Sequence, residues 1–267
     1  MVLKVSVLTQ KSRHSESAKS KTTLYIFLFR KEGAMKNWLF TFCSLVVFVT
    51  GAFASQNIAD DFRDHYTAGS NLSAYNKDIN TLIGINDFHT GKATSFPGFD
   101  VGGSFGAVKV SKDNDISSED YLITGFVTAE TYIPVVGISA ALRGTAVNGF
   151  ESIGAGIKYS YDFLEVADLT LSGFYDRAQT DWYTTDHYSV SAVASASVVF
   201  LTPYVGIGYD YGDFSTRKMT ANRDTSDGAV RYTAGLRVSP FPFVYVFGAY
   251  TKTAGNQGFQ GGLGFNF

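Results

Sequence analysis

Gly258-Phe259-Gln260-Gly261-Gly262-Leu263-Gly264-Phe265-Asn266-Phe267 ends the chain, and the parity of this stretch decides the fold. From Phe259 the odd positions read Phe, Gly, Leu, Phe, Phe, whereas the even positions from Gly258 read Gly, Gln, Gly, Gly, Asn. A strand turns successive side chains to opposite faces, so one face here is greasy and the other small and polar. In a soluble sandwich the greasy face would turn inward. A closed barrel in lipid reverses that, with apolar side chains outside and polar ones in the lumen.

Working back from this segment, the sequence reads as strands at short, regular spacing, each bounded by Pro, Gly, Asn or Asp. The candidates are 99–111, 120–132, 135–147, 152–163, 169–179, 187–200, 204–215, 228–239, 243–253 and 258–267. Ile153, Ala155, Ile157, Tyr159, Tyr161 and Phe163 share one face, opposite Gly154, Gly156, Lys158, Ser160 and Asp162. Tyr188, Val190, Ala192, Ala194, Ala196 and Val198 likewise oppose Ser189, Ser191, Ser195 and Ser197. The segment 120–132 alternates least well. The fold class expected is all-β: a closed antiparallel meander barrel of about ten strands, with a short helical segment before it. Near-zero mean hydropathy with 23 Phe, 16 Tyr and 27 Gly fits a barrel, because alternation dilutes its apolar signal.

The other end of the chain points to export. Lys36 precedes the apolar run from Trp38 to Val49, followed by the small-residue site Ala52-Phe53-Ala54. That order is the secretory signal pattern, and its apolar core is shorter than the roughly 20 residues of a membrane span. Residues 35–54 are therefore expected to be a signal peptide cut after Ala54. Residues 1–34 are expected to be an upstream extension created by a misassigned start, Met35 being the true one. Lys31-Glu32-Gly33 can be encoded by a run that contains a ribosome-binding sequence just before Met35. From Ser55 onward the chain carries 14 Lys and Arg against 22 Asp and Glu, a net charge of −8 that argues against nucleic acid. The single cysteine, Cys43, falls within the signal, so the mature chain can have neither disulfides nor thiolate chemistry.

An aromatic final residue on an amphipathic strand, Phe265 and Phe267 here, resembles the assembly signal of bacterial outer-membrane β-barrels. Together with the export signal and the strand pattern over 96–267, it makes the chain similar to the small bacterial outer-membrane β-barrel proteins as a class. That resemblance implies a Gram-negative outer-membrane location, and as partners the barrel-assembly machinery during biogenesis, lipid and lipopolysaccharide. It also implies that the last strand runs toward the periplasm. Periplasmic turns would then be 133–134, 164–168, 201–203 and 240–242, all short and three with Pro; outer loops would be 112–119, 148–151, 180–186, 216–227 and 254–257. Ten strands would leave the mature N-terminus in the periplasm. Arg217, Lys218 and Arg223, on the longest outer loop, suit contact with lipopolysaccharide phosphates.

Residues 55–95 follow a different period. Leu72, Tyr75, Ile79, Leu82 and Ile83 recur at helical spacing, with Ser70 or Asn71 as N-cap and Gly84 as the stop; Ile58, Phe62 and Tyr66 form an earlier helical turn. Three places remain open for this segment: the lumen, the periplasmic mouth, or the membrane interface as a loosely packed leader.

Parity places Asp100, Glu130, Arg143, Lys158, Asp162, Asp176, Asp210, Arg231, Arg237 and Lys252 inward, five acids and five bases. A ten-strand barrel leaves little room for a channel, and unpaired charge in a narrow lumen is costly. A mutually paired network filling the lumen is the simplest expectation, and a structural or surface-interaction role goes with it. The alternatives are a narrow transport channel for small or apolar solutes, and an outer-membrane hydrolase. For the last, Asp186-His187 near the outer rim is the only pair of interest, but adjacent strand residues point oppositely. Neither G-x-S-x-G, H-E-x-x-H nor a phosphate loop occurs. No catalytic, metal or cofactor residue is expected, and oligomeric state cannot be read.

Overall fold

The alternation, carried round ten strands, closes the sheet on itself. The computed structural model describes residues 57–94, 98–164 and 166–267. The extension 1–34, the signal 35–54 with its cleavage site, Ser55 and the Phe96-Pro97 entry to the first strand lie outside the described residues. Among the described residues the strands are β1 (Phe99–Lys109), β2 (Tyr121–Ile133), β3 (Ile138–Val147), β4 (Phe150–Leu164), β5 (Ala167–Gln179), β6 (Tyr183–Ala196), β7 (Leu201–Thr216), β8 (Asp224–Phe241), β9 (Val244–Thr253) and β10 (Gln257–Asn266). Each pairs antiparallel with its neighbours in sequence, and β1 pairs with β10 to close the barrel. The seam ends on the last residue: Phe267 N–H donates to Phe99 O at 2.8 Å and Phe99 N–H to Phe267 O at 3.1 Å.

The apolar faces point outward, as the parity requires. On β4, Ile153 and Ile157 are 71% and 57% exposed, while Lys158 between Ile157 and Tyr159 is 5% exposed. The poorly alternating second candidate is a regular strand, paired with β1 over eleven positions.

Several boundaries differ from expectation: β3 starts at Ile138 instead of 135, β8 at Asp224 instead of 228, and three further shifts move residues between wall and loop. β6 begins at Tyr183, four residues early, so Asp186 lies within the barrel wall instead of on a loop, and His187 lies inside the strand instead of at its start. The turn after β6 falls at 197–200, where Val199 takes a positive φ of 56°. Pro203 is consequently a strand residue, opposite Leu236; near a strand start, Pro is tolerated. Pro240 belongs to β8, beside the irregularity between Val238 and Phe241. At the other end Asn148 and Gly149 (φ 48° and 77°) make a two-residue hairpin turn that needs left-handed backbone at both positions.

Among the described residues two helices precede the strands. α1 (Ile58–His65) is capped by Asn57, whose side chain accepts from Asp60 N–H. α2 (Leu72–Gly84) is capped by Asn71, which accepts from Ala74 N–H at 3.2 Å. Of the three places open to this segment, it occupies the lumen. α1 sits at the mouth that carries the longer loops: Asp61 accepts from Ser117 Oγ and Ser118 N–H, and the Tyr66 hydroxyl donates to Ala221 O at 2.8 Å. Phe62 and Tyr75 pack there against Tyr183 and Phe214. α2 then descends the lumen closest to β8 and β7, with β1, β2 and β6 around it. Gly84 allows its last turn to approach β7, since a Cβ there would meet the Asp210 carboxylate. Residues 85–94 continue to the short-turn mouth, where Thr94 N–H donates to Glu130 and Ser139 Oγ donates to Thr94 O. Residue 57 thus lies at the long-loop mouth, not at the short-turn mouth where the strand count placed the start of the mature chain, because the segment runs the whole lumen before β1 starts.

Candidate functional site

At mid-height the wall and the threaded segment meet in a closed ring of six charged side chains. Asp87, just beyond α2, receives Arg143 Nη1 on Oδ1 at 2.8 Å, and Arg231 Nη2 and Ser191 Oγ on Oδ2. Arg143 grips Asp176 with Nε and Nη2 at 2.7 and 2.6 Å, the two-pronged geometry that suits guanidinium and carboxylate. His187 Nδ1 lies 3.2 Å from Asp176 and its Nε2 3.4 Å from Asp210. Arg231 Nε, 3.0 Å from Asp210, returns the ring to Asp87. The last two contacts, His187 to Asp210 and Arg231 to Asp210, lack hydrogen-bond alignment and are ion-pair contacts only.

The ring contains three carboxylates, two guanidiniums and an imidazole whose two nitrogens both face carboxylates. An imidazolium here balances the charges at three against three. The six side chains are no more than 1% exposed. Arg143 also stacks over Phe174, with its guanidinium carbon 4.3 Å from the ring centroid. Arg231 Nη1 also donates to Gly84 O, one of the carbonyls that a helix end leaves without a partner.

Smaller clusters lie above and below. Toward the long loops, Asp78 accepts from Ser111 N–H and Oγ (2.9 and 2.5 Å) and from Asn114 and Asn256 Nδ2 (both 2.7 Å), four neutral donors round a buried carboxylate. Toward the short turns, Lys158 Nζ pairs with Glu130 at 2.7 Å. Asp100 accepts from the Tyr245 hydroxyl at 2.7 Å and lies 3.5 Å from His89 Nε2, while the His89 ring stacks on Tyr245.

Of the ten inward charges expected from parity, Asp100, Glu130, Arg143, Lys158, Asp176, Asp210 and Arg231 are buried in these clusters. Arg237 is half-buried, its guanidinium carbon 3.8 Å from the centroid of Tyr245. Asp162 is exposed, opposite Asp168 at the mouth, and stands outside the network. Lys252 corrects the reading outright: it shares parity with the exposed Val246 and Tyr250 and points outward. His187 is a second correction, being fully buried inside the wall although the sequence placed it near the outer rim. Asp186 beside it faces outward, taking the Tyr175 hydroxyl at 2.7 Å, so the two form no dyad.

Sequence reasoning missed Asp87, His89, Asp78 and the inward role of His187. For His187 the signal was present, since it shares parity with Ser189 and Ser191. Asp87 and His89 follow a helix stop, where no period applies. On the longest loop, Lys218 pairs with Asp181 at 3.2 Å, and Arg223 donates to Ala68 O and Ser70 O, tying the loop to the threaded segment. Arg217 is exposed.

No family model matches the sequence, and no curated protein matches it. Among solved structures the chain is similar to the N-terminal β-barrel domain of OprF from Pseudomonas aeruginosa (15% identity, 63% of this chain, 97% of that one, TM-score 0.35). It is also similar to Ail, the attachment invasion locus protein of Yersinia pestis (16%, 64%, 97%, 0.33). A third is the translocator domain of the autotransporter NalP from Neisseria meningitidis (12%, 71%, 93%, 0.42). These are bacterial outer-membrane β-barrel proteins, and the barrel alone is what the chain shares with them.

Proposed function

We propose that this chain is a non-enzymatic outer-membrane β-barrel with a structural or surface-interaction role and a closed lumen. The outward apolar faces support the membrane location, because a water-facing surface would not carry Ile153, Leu142, Val190 and Val205 each at least 60% exposed. The observation that carries the closed lumen is residues 57–94 running from mouth to mouth, clasped midway by the Asp87 ring. A solute would have to break the Arg143 and Arg231 pairs to pass. The same burial weighs against hydrolysis, since His187 and its carboxylates have no exposed surface to offer a substrate. Arg217 and Lys218 at the long-loop mouth suit lipopolysaccharide phosphates.

Planar-bilayer recording of the purified, refolded protein tests this reading. Wild type should give little steady conductance, and a variant lacking residues 57–94, if it refolds, should give discrete steps. Arg143→Ala with Asp87→Ala, which loosens the segment without removing it, should give at most brief, flickering openings. Large, stable steps from wild type would overturn the closed-lumen reading and favour the channel.

A further inference from the structure

Residues 57–94 make a single pass through the barrel, and its direction has a consequence for where the chain begins. Contacts fix the segment at three heights. At the long-loop mouth Asp61 is held by Ser117 and Ser118, Tyr66 by Ala221, and the Ala68 and Ser70 carbonyls by Arg223. Midway Asp87 is held by Arg143 and Arg231, and at the short-turn mouth Thr94 is held by Glu130 and Ser139. Only five residue steps separate Thr94 from Phe99, at most about 18 Å of extended chain, so the segment must enter β1 from the short-turn mouth it has just reached. Its other end, Asn57, lies at the opposite mouth.

We infer that the barrel is a display anchor: it carries its own N-terminal end through the lumen and presents it on the outer side of the cell. This rests on the outer-membrane reading above, which makes the long-loop mouth the cell surface. The buried ring makes the arrangement permanent, because withdrawing the segment would strip Asp87 from two guanidiniums inside the wall. The barrel can then carry a sequence added at that end to the same place.

Single cysteines test it, because the only native cysteine, Cys43, lies in the segment expected to be removed. Asp64→Cys on α1, Lys218→Cys on the longest loop and Lys92→Cys at the short-turn mouth all replace exposed residues. Each variant is expressed in a Gram-negative host, checked for heat-modifiable migration as a folded barrel, and treated with a membrane-impermeant polyethylene-glycol maleimide. Asp64→Cys and Lys218→Cys should label on intact cells, and Lys92→Cys only after the outer membrane is permeabilised. Label at Lys218→Cys without label at Asp64→Cys would overturn the threading while leaving the orientation intact. Label at Lys92→Cys alone on intact cells would reverse the orientation and overturn both. An epitope inserted between Ala54 and Ser55 should bind antibody on intact cells, and binding only after permeabilisation would overturn the display.

Discussion

The barrel wall and the segment threaded through it are held by different physics. Each wall strand exchanges backbone hydrogen bonds with two neighbours, and its outward side chains need only be apolar. The wall therefore rests on many small, repeated contributions and tolerates Gly, Ala and Ser at many positions. Among the described residues the segment exchanges no backbone–backbone hydrogen bond with the wall. It is fixed by a few polar anchors (Asp61, Asp78, Asp87, Thr94) and one aromatic cluster, Phe62 and Tyr75 against Tyr183 and Phe214. Substitutions should separate the two: wall changes should depend on depth in lipid, segment changes on which partner is left unpaired.

The largest expected effect is Arg143→Ala. Its guanidinium is shared between Asp87 on the segment and Asp176 on the wall, so its loss leaves two buried carboxylates short of a counter-charge. Breaking such a pair costs about 3–5 kcal/mol. Urea unfolding in detergent or lipid vesicles should show that loss, and Arg143→Lys should recover only part of it, because a lysine cannot grip Asp176 with two prongs. A loss under about 1 kcal/mol for Arg143→Ala, within the range of exposed pairs, would mean the ring is hydrated and weakly coupled.

Ile157→Arg probes the wall alone. Ile157 is near the middle of β4 and faces outward, where a cation at mid-bilayer costs about 2–4 kcal/mol. The same substitution at exposed Val135, in the turn between β2 and β3, should be nearly neutral. Equal costs at the two positions would argue that this face does not meet lipid.

The same contrast explains what could be read from the sequence. Period-2 alternation is local and repeated, so ten strands, closure and the outward face followed from it, and seven of ten inward charges were identified by parity alone. The errors came where parity needed a register that local signals set wrongly. Lys252 was placed on the polar face although it shares parity with Tyr250, and the strand was started only at His187 because Thr184, Thr185 and Asp186 resemble turn residues. Pro203 and Pro240 drew the turns toward themselves. The helical spacing of Leu72, Tyr75 and Ile79 located α2, but nothing local says that a helix threads a barrel from the long-loop end. That direction follows from partners far along the chain, such as Asp61 with Ser117, Tyr66 with Ala221 and Gly84 with Arg231.

Tyr66→Phe should have the smallest effect, and it tests whether the outer end of the segment is anchored separately from the ring. The Tyr66 hydroxyl donates to Ala221 O on the longest loop, while its ring stacks on Phe62 at 5.1 Å. Phenylalanine keeps the stack and removes only the hydrogen bond, so the expected loss is about 0.5–1.5 kcal/mol. Because the bond joins two surface elements, the loss should show as faster amide exchange in α1 and in 217–223 more than as a change in global unfolding. Exchange round Asp87 and through β3 to β8 should stay as in wild type, since those protons report on the ring. If Tyr66→Phe instead speeds exchange along the whole of 57–94, the segment moves as one body, and the mouth contacts and the ring are a single cooperative unit.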